Sequence, residues 1–226
     1  VGSGFSFRNP PMFNSPVDQT QRDALAETDA VLHHYVQHSN TAPFIATRLI
    51  QHLVTSNPSP RYVGDVAEAF RTGTYSDGVN TFGTGTYGDL EATVASVFLD
   101  DEARSTTLDA DVTHGRAREP LLKLIHFFRA MELDTEDRRS REVDLIYLKD
   151  KIGQESHYAP SVFSFFLAEY QPIGPVLDMN LVAPEAQLFD APKLIGFLNG
   201  MTNLPFYGIA DCEDGKGFGP FFFSRF

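Results

Sequence analysis

His38-Ser-Asn-Thr-Ala-Pro-Phe-Ile-Ala-Thr-Arg-Leu-Ile-Gln-His-Leu-Val-Thr-Ser-Asn-Pro-Ser-Pro-Arg-Tyr62, running on through Val63 to Phe70, decides the fold. Asn40 or Thr41 is placed to cap a helix, and Pro43 fits its first turn, where a missing N–H costs no intrahelical bond. Ile45, Leu49, Ile50, Leu53 and Val54 then recur at helical spacing. The helix must stop before Pro58, because a residue preceding proline is pushed out of the α region. Ser59 caps a new helix with Pro60 at its first position, and Val63, Val66, Ala67 and Phe70 line one face. The stretch is a pair of amphipathic helices joined by a rigid junction.

Working outward from this pair, the N-terminal side predicts a helix over about 22–38, capped by Thr20 or Asp23. Its apolar stripe is Leu25, Leu32, Tyr35 and Val36. Residues 1–19, with Pro10, Pro11 and Pro16, read as an extended arm. On the C-terminal side, residues 72–87 are rich in Gly, Thr, Ser and Asn and read as a long exposed loop. Asp89 caps a helix with Leu90, Val94, Val97 and Phe98 inward, and 105–115 is another loop. Glu119-Pro120 opens a helix with Leu121, Leu124, Ile125, Phe128 and Met131 on one face. The charged stretch 134–160 holds at most a short helix at 140–150. Ser161–Tyr170 reads as a Phe-rich helical turn or two, and Pro184-Glu185 begins a last helix to about Asn199. The expected fold class is mainly α, an irregular multi-helix domain with long Gly/Pro-rich loops and no confident sheet. The helical domain spans 20–202, and a Phe/Gly-rich tail follows over 203–226.

Composition narrows the function classes. The chain has 226 residues, 42% hydrophobic and 21% charged, ordinary for a globular protein with a core large enough to need no staple. Net charge is −12. The densest basic run, Arg138-Arg139-Ser140-Arg141, is interrupted by acids on both sides, so the concentrated positive charge that a duplex requires is lacking. Nucleic acid is excluded as an expected partner. No apolar run approaches the roughly 20 residues of a membrane span. The start, Val1-Gly-Ser-Gly-Phe5, has no initiator Met or signal peptide, and predicts a processed or truncated product. The apolar end, Phe221-Phe-Phe-Ser-Arg-Phe226, predicts packing on this domain or on a partner chain. Cys212, alone in the sequence, is either a reduced thiol or paired with another chain.

The segment His38–Tyr62 closely resembles the signature of the family described as domain of unknown function 1800. Further segments agree in order: Gly88–Val94 leading to Leu99–Arg104, Arg118-Glu-Pro-Leu-Leu122, Ser161–Leu167 with Tyr170-Gln-Pro172, and Leu181–Gln187. The resemblance covers about 38–190. It implies that this chain is the C-terminal portion of a longer protein with a further helical half upstream. It also implies export to an extracellular or periplasmic location, because members are commonly exported. The family has no established activity, so it supplies no catalytic residue. The departures are the tail after about 200 and the charged stretch 134–158.

Several constellations carry candidate chemistry. Gly83-Thr-Gly85-Thr-Tyr-Gly88 fits the dinucleotide pattern G-x-G-x-x-G, but loop residues rather than a hydrophobic strand precede it, and the bland reading is a Gly/Thr loop. His34 and His38, four apart, are weak metal-ligand candidates on a shared helix face, against a polar surface or cap role near a helix end. Asp211, Glu213 and Asp214 gather beside a turn and offer oxygen ligands to calcium, against a default reading as a solvated turn and without the alternate spacing of an EF-hand. No other cofactor is expected. Arg48, Arg104, Arg118, Glu119 and Glu185 are the polar residues of the family-like segments. Arg48 sits among apolar positions and needs a carboxylate or several carbonyls, with Glu119 a candidate partner. These five form either a structural ion-pair network or, through Arg48, Arg118 and Glu119, a cleft for an anionic or sugar-like ligand. No Gly-x-Ser-x-Gly elbow or Cys–His pair marks a nucleophile.

Two functions remain open from sequence. The first is an extracytoplasmic structural or interaction protein, a helical module of a larger assembly with other protein chains as partners. The second is an enzyme or ligand-binding domain acting on an extracellular polymer such as carbohydrate.

Overall fold

The computed structural model of the chain describes residues 21–132 and 148–207. The expected arm over 1–19, the acidic turn Asp211–Asp214, Cys212 and the Phe221–Phe226 end lie outside the described residues, as does most of the helix expected at 140–150. The architecture is mainly α. The chain forms two compact units, one holding the residues through Leu53 together with Pro58–Arg104. The other holds Val54–Asn57 and the residues from Ser105 onward.

In the first unit, α1 (Gln21–Val36) precedes α2 (Thr41–Leu53) and α3 (Pro60–Thr72). The α2–α3 pair is the one the sequence predicts, and the Ser59 side chain accepts from the Tyr62 N–H with Pro60 just inside the helix. α3 ends at Gly73 in the left-handed conformation. A two-residue hairpin follows, β1 (Tyr75–Ser76) antiparallel to β2 (Thr81–Phe82), inside the stretch read as a loop. Its turn is tied by Asp77, whose Oδ1 accepts from the Val79 and Asn80 amides. Asp89 then caps α4 (Leu90–Leu99) as expected, accepting from the Ala92 N–H, and α5 (Asp101–Arg104) closes the unit.

The core of this unit lies where α2, α3 and α4 meet. Ala46, Ile50, Tyr62, Val66, Ala92 and Val97 have no exposed surface. Tyr62 is the largest of these, and its hydroxyl donates to the Val97 carbonyl, so the polar tip is not stranded. α4 buries a different face from the expected one: Ala92, Thr93, Ser96 and Val97 are inside, while Leu90 and Phe98 are exposed. Small side chains let helix backbones approach closely, and Thr93 returns its hydroxyl to the Asp89 carbonyl at 2.6 Å, so it is buried without an unmet donor. Close packing here outweighs the larger transfer energy of Leu and Phe.

In the second unit, a 3-10 turn (Thr106–Ala110) precedes α6 (Pro120–Ala130), and α7 (Leu148–Ile152), α8 (Pro175–Asp178), a second 3-10 turn (Pro184–Leu188) and α9 (Ala191–Tyr207) follow. Leu124 of α6 packs with Leu148 and Ile152 of α7, and Leu121, Phe128, Phe197 and Met201 surround them. α7 and α9 touch at Gly196, where a Cβ would lie 2.4 Å from the Lys151 carbonyl oxygen, so only glycine permits this approach. Met131, expected on the inner face of α6, is exposed at the helix end.

Two elements correct the sequence reading. Ser161–Tyr170 is not helical; it is a series of turns with an isolated Ser161–Ser164 bridge, and Ser164 has φ of 81°. So short a segment, ended by Pro172, has too few intrahelical bonds to offset nucleation. The last helix starts at Ala191 rather than Pro184, because Asp190 supplies the cap: its Oδ1 accepts from the Lys193 N–H at 2.9 Å. It also runs to Tyr207, into the stretch read as irregular tail.

Candidate functional site

Arg61, the second residue of α3, organises the first unit's polar cleft. Its Nη2 donates to Asp100 Oδ1 at 2.7 Å and its Nη1 to Asp100 Oδ2 at 3.1 Å, a bidentate pair, while Nη1 also meets Asp65 Oδ2 at 2.6 Å. Glu102 adds a longer contact at 3.4 Å and also holds the Ser59 cap through both its amide and its hydroxyl. Hydrogen bonding to Asp100 holds the Arg61 guanidinium firmly protonated, above even its ordinary value. Around this hub lies a cleft of about 500 Å³, open to solvent and lined by α3, the hairpin and the α4–α5 junction. Tyr75, Asp77, Asp101 and Arg104 contribute to its wall. Burial pushes the Tyr75 phenol up, and the Asp100, Asp77 and Asp101 carboxylates push the same way, so it stays protonated at neutral pH.

The second unit carries an ion-pair network around Arg116. Its Nε lies 3.3 Å from Glu185 Oε1 and its Nη2 lies 3.6 Å from Glu119 Oε1; Glu185 is 1% exposed. Gln154 completes the arrangement, donating to Glu119 Oε2 at 2.6 Å and accepting from the Leu121 N–H at 3.0 Å. Glu119 makes no side-chain cap bond of its own, so the start of α6 is capped from the far side of the unit. Beside it runs a groove of about 270 Å³, lined among others by Asn57, His114, Gly115 and Val182.

Glu119 and Glu185 are brought together, with Arg116 between them rather than Arg118, which is exposed. Glu119 has polyproline-like dihedrals. A chain with three residues per turn aligns i with i+3, not with its neighbour. Arg48 is half-buried in the first unit; it donates to Gln51 at 3.3 Å and sits 5.2 Å over the Phe44 ring. Arg104 is exposed on the cleft wall. Sequence reasoning missed Arg61, Tyr75, Asp100 and Asp101, although Arg61 stands inside the quoted signature and its i+4 partner Asp65 was a readable signal. It also missed Arg116, whose signal was its three-residue spacing from Glu119.

α1 ends at Val36, so His38 lies in the turn beyond it; its ring is 6.3 Å from that of His34, and its Nδ1 accepts from the Asn40 N–H. Among the described residues no group of three or more His, Cys, Asp or Glu is placed to hold a metal ion. In the Gly83–Gly88 loop, the Gly85 and Gly88 amides donate to the Gly73 and Phe70 carbonyls, and the Thr84 amide donates to Asp89. Those amides are turned onto the protein itself, and a carboxylate already occupies the start of α4. A pyrophosphate has no cradle there.

Among the described residues, no helix is long and apolar enough to cross a membrane. Fold and sites together define a mainly α-helical protein with a polar cleft in the first unit and a groove beside the Arg116 network in the second. The chain belongs to the family described as protein of unknown function (DUF1800), whose model matches residues 11–206. No curated protein and no solved structure matches the chain.

Proposed function

We propose that the chain acts outside the cytoplasm as a structural or interaction module of a larger assembly. The observation that carries this reading is the apolar stripe of α1. Leu25, Leu32 and Tyr35 are 54%, 55% and 65% exposed, and Val31 and Val36 lie beside them uncovered. These residues are the apolar stripe that the sequence spacing predicts, and an apolar helix face left open is what a docking partner covers. Val162, Phe163, Leu167 and Ile173 add a second exposed apolar group on the turns of the second unit. The location rests on the resemblance, since members of the family are commonly exported.

Sedimentation of the chain over a range of concentrations tests the reading, with a Leu32→Glu/Tyr35→Glu variant alongside. Self-association or adhesion that the variant abolishes supports a docking face. A wild-type chain that stays monomeric and monodisperse at high concentration counts against it.

The Arg61 cleft favours a second reading, a ligand-binding domain. It contains polar groups that make no hydrogen bond or ion pair with another described residue, and a purely structural surface has no need to gather them in a concavity.

A further inference from the structure

The polar groups in the cleft of the first unit divide into those that hold the fold and those that do not. Both Asp100 oxygens and Asp65 Oδ2 are engaged with Arg61. Glu68 lies 3.5 Å from Arg71, and Asp77 holds the amides of its own turn. The Ser76 hydroxyl donates to the Asn80 carbonyl, and the Thr74 hydroxyl donates to that of Thr72. Three lining groups remain: the Tyr75 phenol, the Asp101 carboxylate and the Arg104 guanidinium make no hydrogen bond or ion pair with another described residue.

The composition of this remainder selects the ligand. Five carboxylates against two guanidiniums line the cleft, which disfavours anions. Its only aliphatic lining is Ala69 and Leu99, too little for an apolar ligand. A cation would need several carboxylates at once, yet only Asp101 is unengaged, and Arg104 offsets its charge. What is left is one acceptor, one set of donors and one phenol that can do either, with no net charge. Hydroxyl groups, which donate and accept together, match that set, and the Tyr75 ring offers a flat apolar face beside it. The volume of about 500 Å³ falls within the roughly 300–1,000 Å³ usual for small-molecule sites.

We propose that this cleft binds a neutral, hydroxyl-rich ligand of the saccharide class, with Tyr75, Asp101 and Arg104 as its binding residues. The proposal rests on the ligand-binding reading and names its substrate class.

The experiment is a titration of the whole chain, followed by amide NMR, with cellobiose, maltose or diacetylchitobiose, and separately with spermidine and glucose 6-phosphate. A neutral disaccharide is expected to shift the amides of 74–77 and 100–104 with a Kd of about 1 mM or tighter. Tyr75→Ala, Arg104→Ala and Asp101→Asn are each expected to weaken binding by about tenfold or more. Because Tyr75 also pairs with Phe82 in the hairpin, the exposed Arg104→Ala, with Tm unchanged, is the decisive variant. Disaccharide binding that these variants leave intact overturns the assignment. Binding of spermidine or glucose 6-phosphate at these amides without any disaccharide overturns the saccharide class but keeps the ligand-binding reading. No binding by any of these probes to about 10 mM removes both.

Discussion

The Asn57 side chain and the Val182 backbone, 125 positions apart, exchange two hydrogen bonds of 2.9 Å each. Nδ2 donates to the Val182 carbonyl and Oδ1 accepts from the Val182 N–H, so the carboxamide stands in for a neighbouring strand's peptide group. Two residues earlier, the Thr55 hydroxyl accepts from the Gly115 N–H at 2.9 Å and donates to its carbonyl at 3.2 Å, and the Ser56 amide donates to that carbonyl too. The Thr-Ser-Asn part of the junction is thus a clamp on two remote loops of the second unit.

Asn57→Ala is expected to destabilise the second unit by about 2 kcal/mol, since it leaves both Val182 backbone groups without a partner. Asn57→Asp keeps the acceptor but meets the Val182 carbonyl with a second oxygen, and should be no better. Urea unfolding measures both; an unchanged midpoint in Asn57→Ala would show that water replaces the carboxamide.

Thr55 is fully buried. Thr55→Val keeps its shape, removes the hydroxyl and should cost about 1–2 kcal/mol, while Thr55→Ser keeps the hydroxyl and loses only a methyl group's packing. A Val variant as stable as the Ser variant would contradict the clamp.

Arg116→Met is expected to cost about 3 kcal/mol, because it deprives the buried Glu185 of its guanidinium. Arg118→Met, at an exposed position two residues on, should stay within about 0.5 kcal/mol of wild type. Equal effects in thermal unfolding would refute the assignment of Arg116 as the network's centre.

Asp89 should titrate low. Hydrogen bonds from the Thr84 hydroxyl, then from the Ala92 and Thr84 amides, hold its carboxyl at about 2. A depressed folded pKa contributes stability that is present above the unfolded value of about 3.9 and is lost as pH falls through about 2. The Thr84 amide signal should therefore move with a midpoint near 2; a midpoint near 4 would mean the cap bonds are absent in solution.

Gly83→Ala should prevent normal folding of the first unit. An added Cβ would meet the Gly73 carbonyl oxygen at 2.2 Å and the Ala92 methyl at 2.7 Å, and φ is +90°. Loss of dispersed amide signals for residues 70–97 is the expected result. A well-folded variant would show that this loop packs less closely on α3 and α4.

Much of the helical grammar was legible. Ser59-Pro60, Asp89 and Glu119-Pro120 each open a helix where their chemistry says they should. The start of α9 was missed: Asp190-Ala-Pro192 opens it, while Pro184-Glu185 presents a helix-opening proline seven residues earlier. That segment became a 3-10 turn carrying the buried Glu185. The candidate site was legible only in part: Arg104, Glu119 and Glu185 were singled out, but their partners were not.

By itself the sequence determined where α3, α4 and α6 start and which family the chain resembles, since capping and proline sterics act within about four residues. Only the tertiary structure decided which face of α4 is buried, that Arg116 rather than Arg118 meets the glutamates, and that Asn57 clamps Val182. Those outcomes depend on groups tens of residues away, whose approach is set by how closely whole helices and loops pack rather than by any local preference.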